Sequence, residues 1–131
     1  MRSGLSAGPG GDVNIYSGGI NGDQLAFALA RTSESPPRSQ NWSYSNADSM
    51  LLAGILEEST GQNVLDFADK ELFSKIGMQA DWWTDEQGHA MTYCCIDTTT
   101  RDFARFGLLF ARNGKWNDCL LYTSPSPRDD R

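Results

Sequence analysis

The chain has 131 residues, 39% hydrophobic and 21% charged, close to the globular average, which excludes a wholly disordered or a membrane-embedded polypeptide. A net charge of −6 and the lack of any Lys/Arg cluster argue against a nucleic-acid ligand. No apolar run approaches the ~20 residues needed to cross a bilayer, and Met1-Arg2-Ser3-Gly4-Leu5 lacks the apolar stretch of a signal peptide. The compartment stays open.

The first stretch, through Gly8-Pro9-Gly10-Gly11 and Ser17-Gly18-Gly19, is glycine-rich and aperiodic, so it reads as loop. Residues 23 to 31 carry Leu25, Ala28 and Leu29 at helical spacing behind Asn21 or Gly22 as a cap. Pro36-Pro37 then breaks the chain into a second loop, Ser33 to Gln40. The strongest helical signal runs from Asn46 to about Thr60, with Met50, Leu51, Gly54 and Ile55 on a wide apolar face and Gly61 at the C-terminal stop. Asn63 caps a following helix through Val64, Phe67, Ala68 and Leu72 that ends near Lys75-Ile76-Gly77.

Gln79 to Asp97 reads as loop and then a weak strand over Met91, Tyr93 and Cys95. Thr99 and Asp102 open a third helix in the manner of a capping box, with Phe103, Phe106, Gly107 and Phe110 as its apolar face. Gly107 in mid-helix costs about 1 kcal/mol against Ala, which predicts a close neighbour there. The tail from Cys119 to Asp129 has codons that can spell a library-adapter sequence. We therefore expect a partial domain over 1–118 and a non-native or structureless tail over 119–131.

Cysteine usage points to no redox compartment. A bond between adjacent Cys94 and Cys95 would be strained, so both are expected to be small buried hydrophobes, and Cys119 stands alone. His89, Cys94 and Cys95 lack the spacing of a zinc site, and no metal or organic cofactor is expected. Asp81 and Asp85 read as solvated charges, without the fixed separation that glycoside chemistry requires. His89 is the single histidine, and no G-x-S-x-G elbow accompanies it, which disfavours a Ser-His-Asp triad.

The sharpest chemical signal is Trp42-Ser43-Tyr44-Ser45-Asn46, directly before the long apolar helix. A tyrosine serves as general base only when its pKa of about 10 is lowered, usually by a lysine ammonium. At a helix mouth Tyr44 would accept a proton and Asn46 would hydrogen-bond a substrate carbonyl. A packed Tyr followed by an Asn cap is the bland alternative. Trp82 and Trp83 are candidates for an acyl pocket, although adjacent tryptophans more often divide between core and surface.

Tyr44-Ser45-Asn46 with the helix to Gly61-Gln62, then Leu72 to Met78, resembles the second-motif region of class C β-lactamase-related serine hydrolases, of penicillin-recognising fold. Trp83, Asp85, Gly88, Thr98 to Leu109 and Asn113-Gly114-Lys115-Trp116 resemble the branch of that family containing 6-aminohexanoate-dimer hydrolases and esterases. Met1 to Leu5 is similar to the segment following the nucleophile helix. The resemblance implies an α/β (α+β) parent fold, an antiparallel sheet flanked by helices, of which this chain supplies mainly the helical region. It also implies an acyl-serine mechanism on a small amide or ester, with Tyr44 as base and Asn46 orienting the substrate; Trp83 is a separate candidate for binding substrate, from its residue type alone.

The family's nucleophile motif, Ser-x-x-Lys, is missing, because no serine in this chain has lysine three residues on. Lys75-Ile76-Gly77 superficially resembles its third motif but closes a helix, so it reads as a surface lysine and a cap. The expectation is an internal fragment, inactive alone, with exposed apolar faces and marginal stability. A D,D-peptidase, a true β-lactamase and a non-catalytic scaffold are the alternatives.

Overall fold

A computed structural model describes residues 3, 5, 15, 22–32 and 44–121. The expected loops at 8–11, 17–19 and 33–40, Asn21, and Trp42-Ser43 lie outside those residues, as do residues 122–131. The chain divides into two compact units, one from residues 1–66 and 82–96, the other from 67–81 and 97–131.

In the first unit, α1 (Gln24–Leu29) starts at Asp23, whose carboxylate accepts the Ala26 N–H at 2.7 Å. The cap is thus Asp23, not Asn21 or Gly22. Gly22 instead makes the turn before the helix, where it takes φ +73° and a Cβ on it would collide with Glu86. Helix α2 (Asn46–Thr60) keeps its predicted bounds because both ends are written locally. Ser45 caps it by accepting the Asp48 N–H at 3.1 Å, and Gly61 ends it at φ +66°.

Helices α1 and α2 pack together over a core of Ile15, Phe27, Ala28, Ala47 and Met50. Gly54 permits the close approach, since a Cβ there would lie 2.8 Å from Leu25 Cδ1. A second cluster joins Ala53, Val64 and Ala90 with Leu56 and the Trp82 indole against it. Burial of such side chains contributes roughly 1.5–3 kcal/mol each for the larger ones.

Asn63 opens α3 (Val64–Ala68) by accepting the Asp66 N–H at 2.9 Å. The helical path continues through a widened π-type turn, Asp69–Phe73, into α4 (Ser74–Ile76), where Gly77 stops it at φ +67°. Strands β1 (Ala80–Trp82) and β2 (Ile96–Thr98) pair as a two-stranded sheet. This replaces the strand expected over Met91, Tyr93 and Cys95, where the backbone turns and Cys95 takes φ +79°.

Helix α5 (Thr100–Ala111) lies in the second unit, with Thr99 accepting the Asp102 N–H at 3.2 Å as its cap. Its buried positions are Asp102 and Leu109, while Phe103 and Phe110 stay half exposed. The phenylalanine face is therefore not the buried one. Gly107 has nothing within 4 Å of where its Cβ would sit, so the close neighbour expected there is absent among the described residues. Strands β3 (Lys115–Trp116) and β4 (Cys119–Leu120) form an antiparallel hairpin. Leu121, just after β4, donates its N–H to the Gly114 carbonyl at 2.8 Å.

Candidate active site

The mouth of α2 is built by short-range chemistry. Ser45 takes an extended backbone, φ −152°, and its hydroxyl satisfies one of the N–H groups that the first turn leaves unpaired. Tyr44 precedes the cap and is 57% exposed, so its ring is not packed in the interior. Asn46 is the first helical residue and is buried. The cap is therefore Ser45, and the carboxamide of Asn46 does not serve as one.

Tertiary bonds hold this mouth in place. The Ser3 hydroxyl donates to the Asp48 carboxylate at 2.7 Å, and Ser3 Oγ accepts the Leu5 N–H at 3.1 Å. Thr92 donates its hydroxyl to the Ser49 carbonyl at 2.6 Å. Tyr93 donates to the buried Gln24 side chain at 2.7 Å, tying the 92–93 turn to α1 as well.

The two tryptophans divide between core and surface. Trp82 sends its indole N–H to the carbonyls of Met91 (3.0 Å) and Cys94 (2.8 Å), inside the Ala53 cluster. Trp83 is 57% exposed, with its backbone N–H on the Cys95 carbonyl at 3.0 Å and its carbonyl taking the Met91 N–H at 2.9 Å. A fixed backbone thus presents Trp83 outward from the unit that carries Tyr44 and Asn46.

Charge near the phenol decides what it can do. Residues 1–66 and 82–96 contain no lysine; the lysines are Lys70, Lys75 and Lys115. Lys75 pairs with Glu71 at 2.8 Å and Lys70 with the same carboxylate at 3.5 Å. Lys75 is therefore a helix-surface residue, and its hydrogen bond holds the Glu71 carboxyl below the ordinary carboxylate value.

A family model described as Beta-lactamase matches residues 1–115. The chain belongs to the beta-lactamase family. It is also similar to a solved structure from Bacillus anthracis described as a 6-aminohexanoate-dimer hydrolase, with 28% identity and a TM-score of 0.72 over 92% of this chain. The chain spans 29% of the length of that structure. No curated protein matches it. The fold is accordingly the α+β fold of that family, and the described part is mostly its helices, with two short ladders.

Three features of this beta-lactamase family member escaped sequence reasoning. Asp85 is buried and accepts the N–H groups of Gln24 (2.9 Å), Gln87 (3.0 Å) and His89 (2.9 Å), so it is not a solvated charge. Its signal was the Asp-x-x-Gly spacing to Gly88, a turn in which Asp folds back on following amides. His89 Nδ1 lies 2.8 Å from Glu57 Oε2, beside a cavity of about 390 Å³ that Gln62, Asn63 and Gln87 also line. Cys94 and Cys95 are bonded to each other and only half buried, contrary to their expected role as small core residues.

Proposed function

We propose that these residues form the general-base wall of a serine hydrolase that cleaves a small amide or ester through an acyl-serine intermediate. The observation that carries this reading is the placement of an exposed Tyr44 and of Asn46 on either side of the Ser45 cap. Family membership supplies the acyl-transfer context.

In this reading the attacking hydroxyl belongs to a Ser-x-x-Lys segment outside these 131 residues, which contain no such motif. Tyr44, with that lysine beside it, acts as the base that takes the serine proton as the serine oxygen bonds to the acyl carbon. The tyrosine then gives that proton to the departing amine or alcohol. Water attacks the acyl-serine with the same base, releasing the acid and restoring the serine. Asn46 donates its amide N–H to the acyl side of the substrate, and Trp83 supplies an apolar wall. Neither metal nor organic cofactor takes part in this scheme.

The reading requires its lysine to come from that outside segment. The first unit has no lysine of its own, and Lys70 and Lys75 share one carboxylate. Trapping tests the reading: a polypeptide carrying Ser-x-x-Lys with these residues is mixed with a p-nitrophenyl ester, acid-quenched and weighed by peptide mass. The expected result is an acyl adduct on that serine. An adduct on any residue of the present chain, or turnover with no serine adduct, overturns it.

A further inference from the structure

The bond between Cys94 and Cys95 closes a small ring across one peptide unit. Cys95, within that ring, takes φ +79°, a region that residues with side chains rarely adopt. The ring is joined to both tryptophans. Trp82 Nε1 donates to the Cys94 carbonyl at 2.8 Å, and the Trp83 N–H donates to the Cys95 carbonyl at 3.0 Å. Met91 closes the same turn by accepting the Cys94 N–H at 2.9 Å. Both cysteines are half buried, neither lying in the core.

We infer that Cys94–Cys95 is a thiol–disulfide exchange site for small dithiols, and that its redox state sets the positions of Trp82 and Trp83. One thiolate of the dithiol attacks a ring sulfur, breaking the Cys94–Cys95 bond and forming a mixed disulfide. The second thiolate then displaces the protein sulfur. The dithiol leaves as its own disulfide, and the two electrons and two protons remain on the protein as two thiols. With the ring open, nothing covalent keeps Cys95 at positive φ. Its backbone relaxes, the Cys95 carbonyl leaves the Trp83 N–H, and the Trp82 indole loses its fixed pair of acceptors. The inference is independent of the acyl chemistry, because it is read through sulfur and indole alone.

The chain has three cysteines, and Cys119 is an exposed thiol that serves as an internal reference. Protein purified without reductant is alkylated with iodoacetamide before and after dithiothreitol, and phenylarsine oxide, which bridges paired thiols, is added in parallel. Labelling is expected to rise threefold, from Cys119 alone to all three cysteines, with arsenical uptake only after reduction. Tryptophan emission is then followed in Cys119→Ser and in Cys119→Ser/Cys95→Gly, where glycine suits the positive φ but forms no ring. Dithiothreitol should shift emission in the first and leave the second unchanged. Full labelling before reduction, an equal emission response in both variants, or none in either overturns the inference.

Discussion

Gln24 and Asp85, 61 positions apart, are joined by one bond in which the Gln24 N–H donates to Asp85 Oδ2 at 2.9 Å. The same carboxylate turns the 85–89 segment around itself through the Gln87 and His89 amides. A single buried side chain thus fixes the start of α1 and the loop that follows Trp83.

Replacing Asp85 by Ala leaves three N–H groups without their acceptor, and each unsatisfied buried group costs about 1–3 kcal/mol. Urea unfolding of Asp85→Ala should therefore show a loss on the order of 3 kcal/mol, while exposed Asp81→Ala should stay within about 0.5 kcal/mol. Equal effects at the two positions would show that Asp85 is solvated after all.

A glycine inside one long helix and a glycine that ends the other should respond with opposite signs. Gly107 sits inside α5 with open space around it, so Gly107→Ala is expected to gain about 1 kcal/mol of stability from helix propensity alone. Gly61 sits at φ +66°, so Gly61→Ala is expected to lose about 1–2 kcal/mol despite equally open space. Thermal unfolding of both variants checks the pair, and a destabilised Gly107→Ala would reveal a neighbour not seen around α5.

Acid should loosen the start of α5 through Asp102. The Thr99 hydroxyl, donating to Asp102 Oδ2 at 2.7 Å, holds the carboxyl below its usual value of 3.8, and the Arg105 guanidinium adds to the effect. A depressed folded-state pKa means that this stabilisation is fully present above 3.8 and is lost as pH falls through the lower folded value. Unfolding midpoints measured downward from pH 5 should fall more steeply for the parent chain than for Asp102→Asn. Parallel slopes would remove Asp102 from the account.

How far the fold could be read from the sequence follows the range of the forces involved. The ends of α2 were legible because Ser45 and Gly61 act on residues within one turn. The start of α1 was misread by a residue or two because Asn, Gly and Asp are all acceptable caps, and geometry alone selects Asp23. Strands β1 and β2 pair across a long turn, and three residues apiece give no period to detect. Phe103, Phe106 and Phe110 do form a helical stripe, yet burial falls on Asp102 and Leu109 instead. Tyr44 and Asn46 stood out because motif order, not local propensity, marked them; Asp85 did not, because its partners are backbone amides that no side-chain pattern announces.

Steady-state hydrolysis of p-nitrophenyl esters tests the proposed role of Tyr44 most directly, comparing wild type with Tyr44→Phe in a polypeptide that joins Ser-x-x-Lys to these residues. Removing the phenol should lower kcat by roughly 10²–10⁴-fold, and the 131-residue chain alone should turn over no faster than its own Tyr44→Phe variant. Unchanged kcat in the joined polypeptide, or Tyr44-dependent turnover by the isolated chain, would contradict the account.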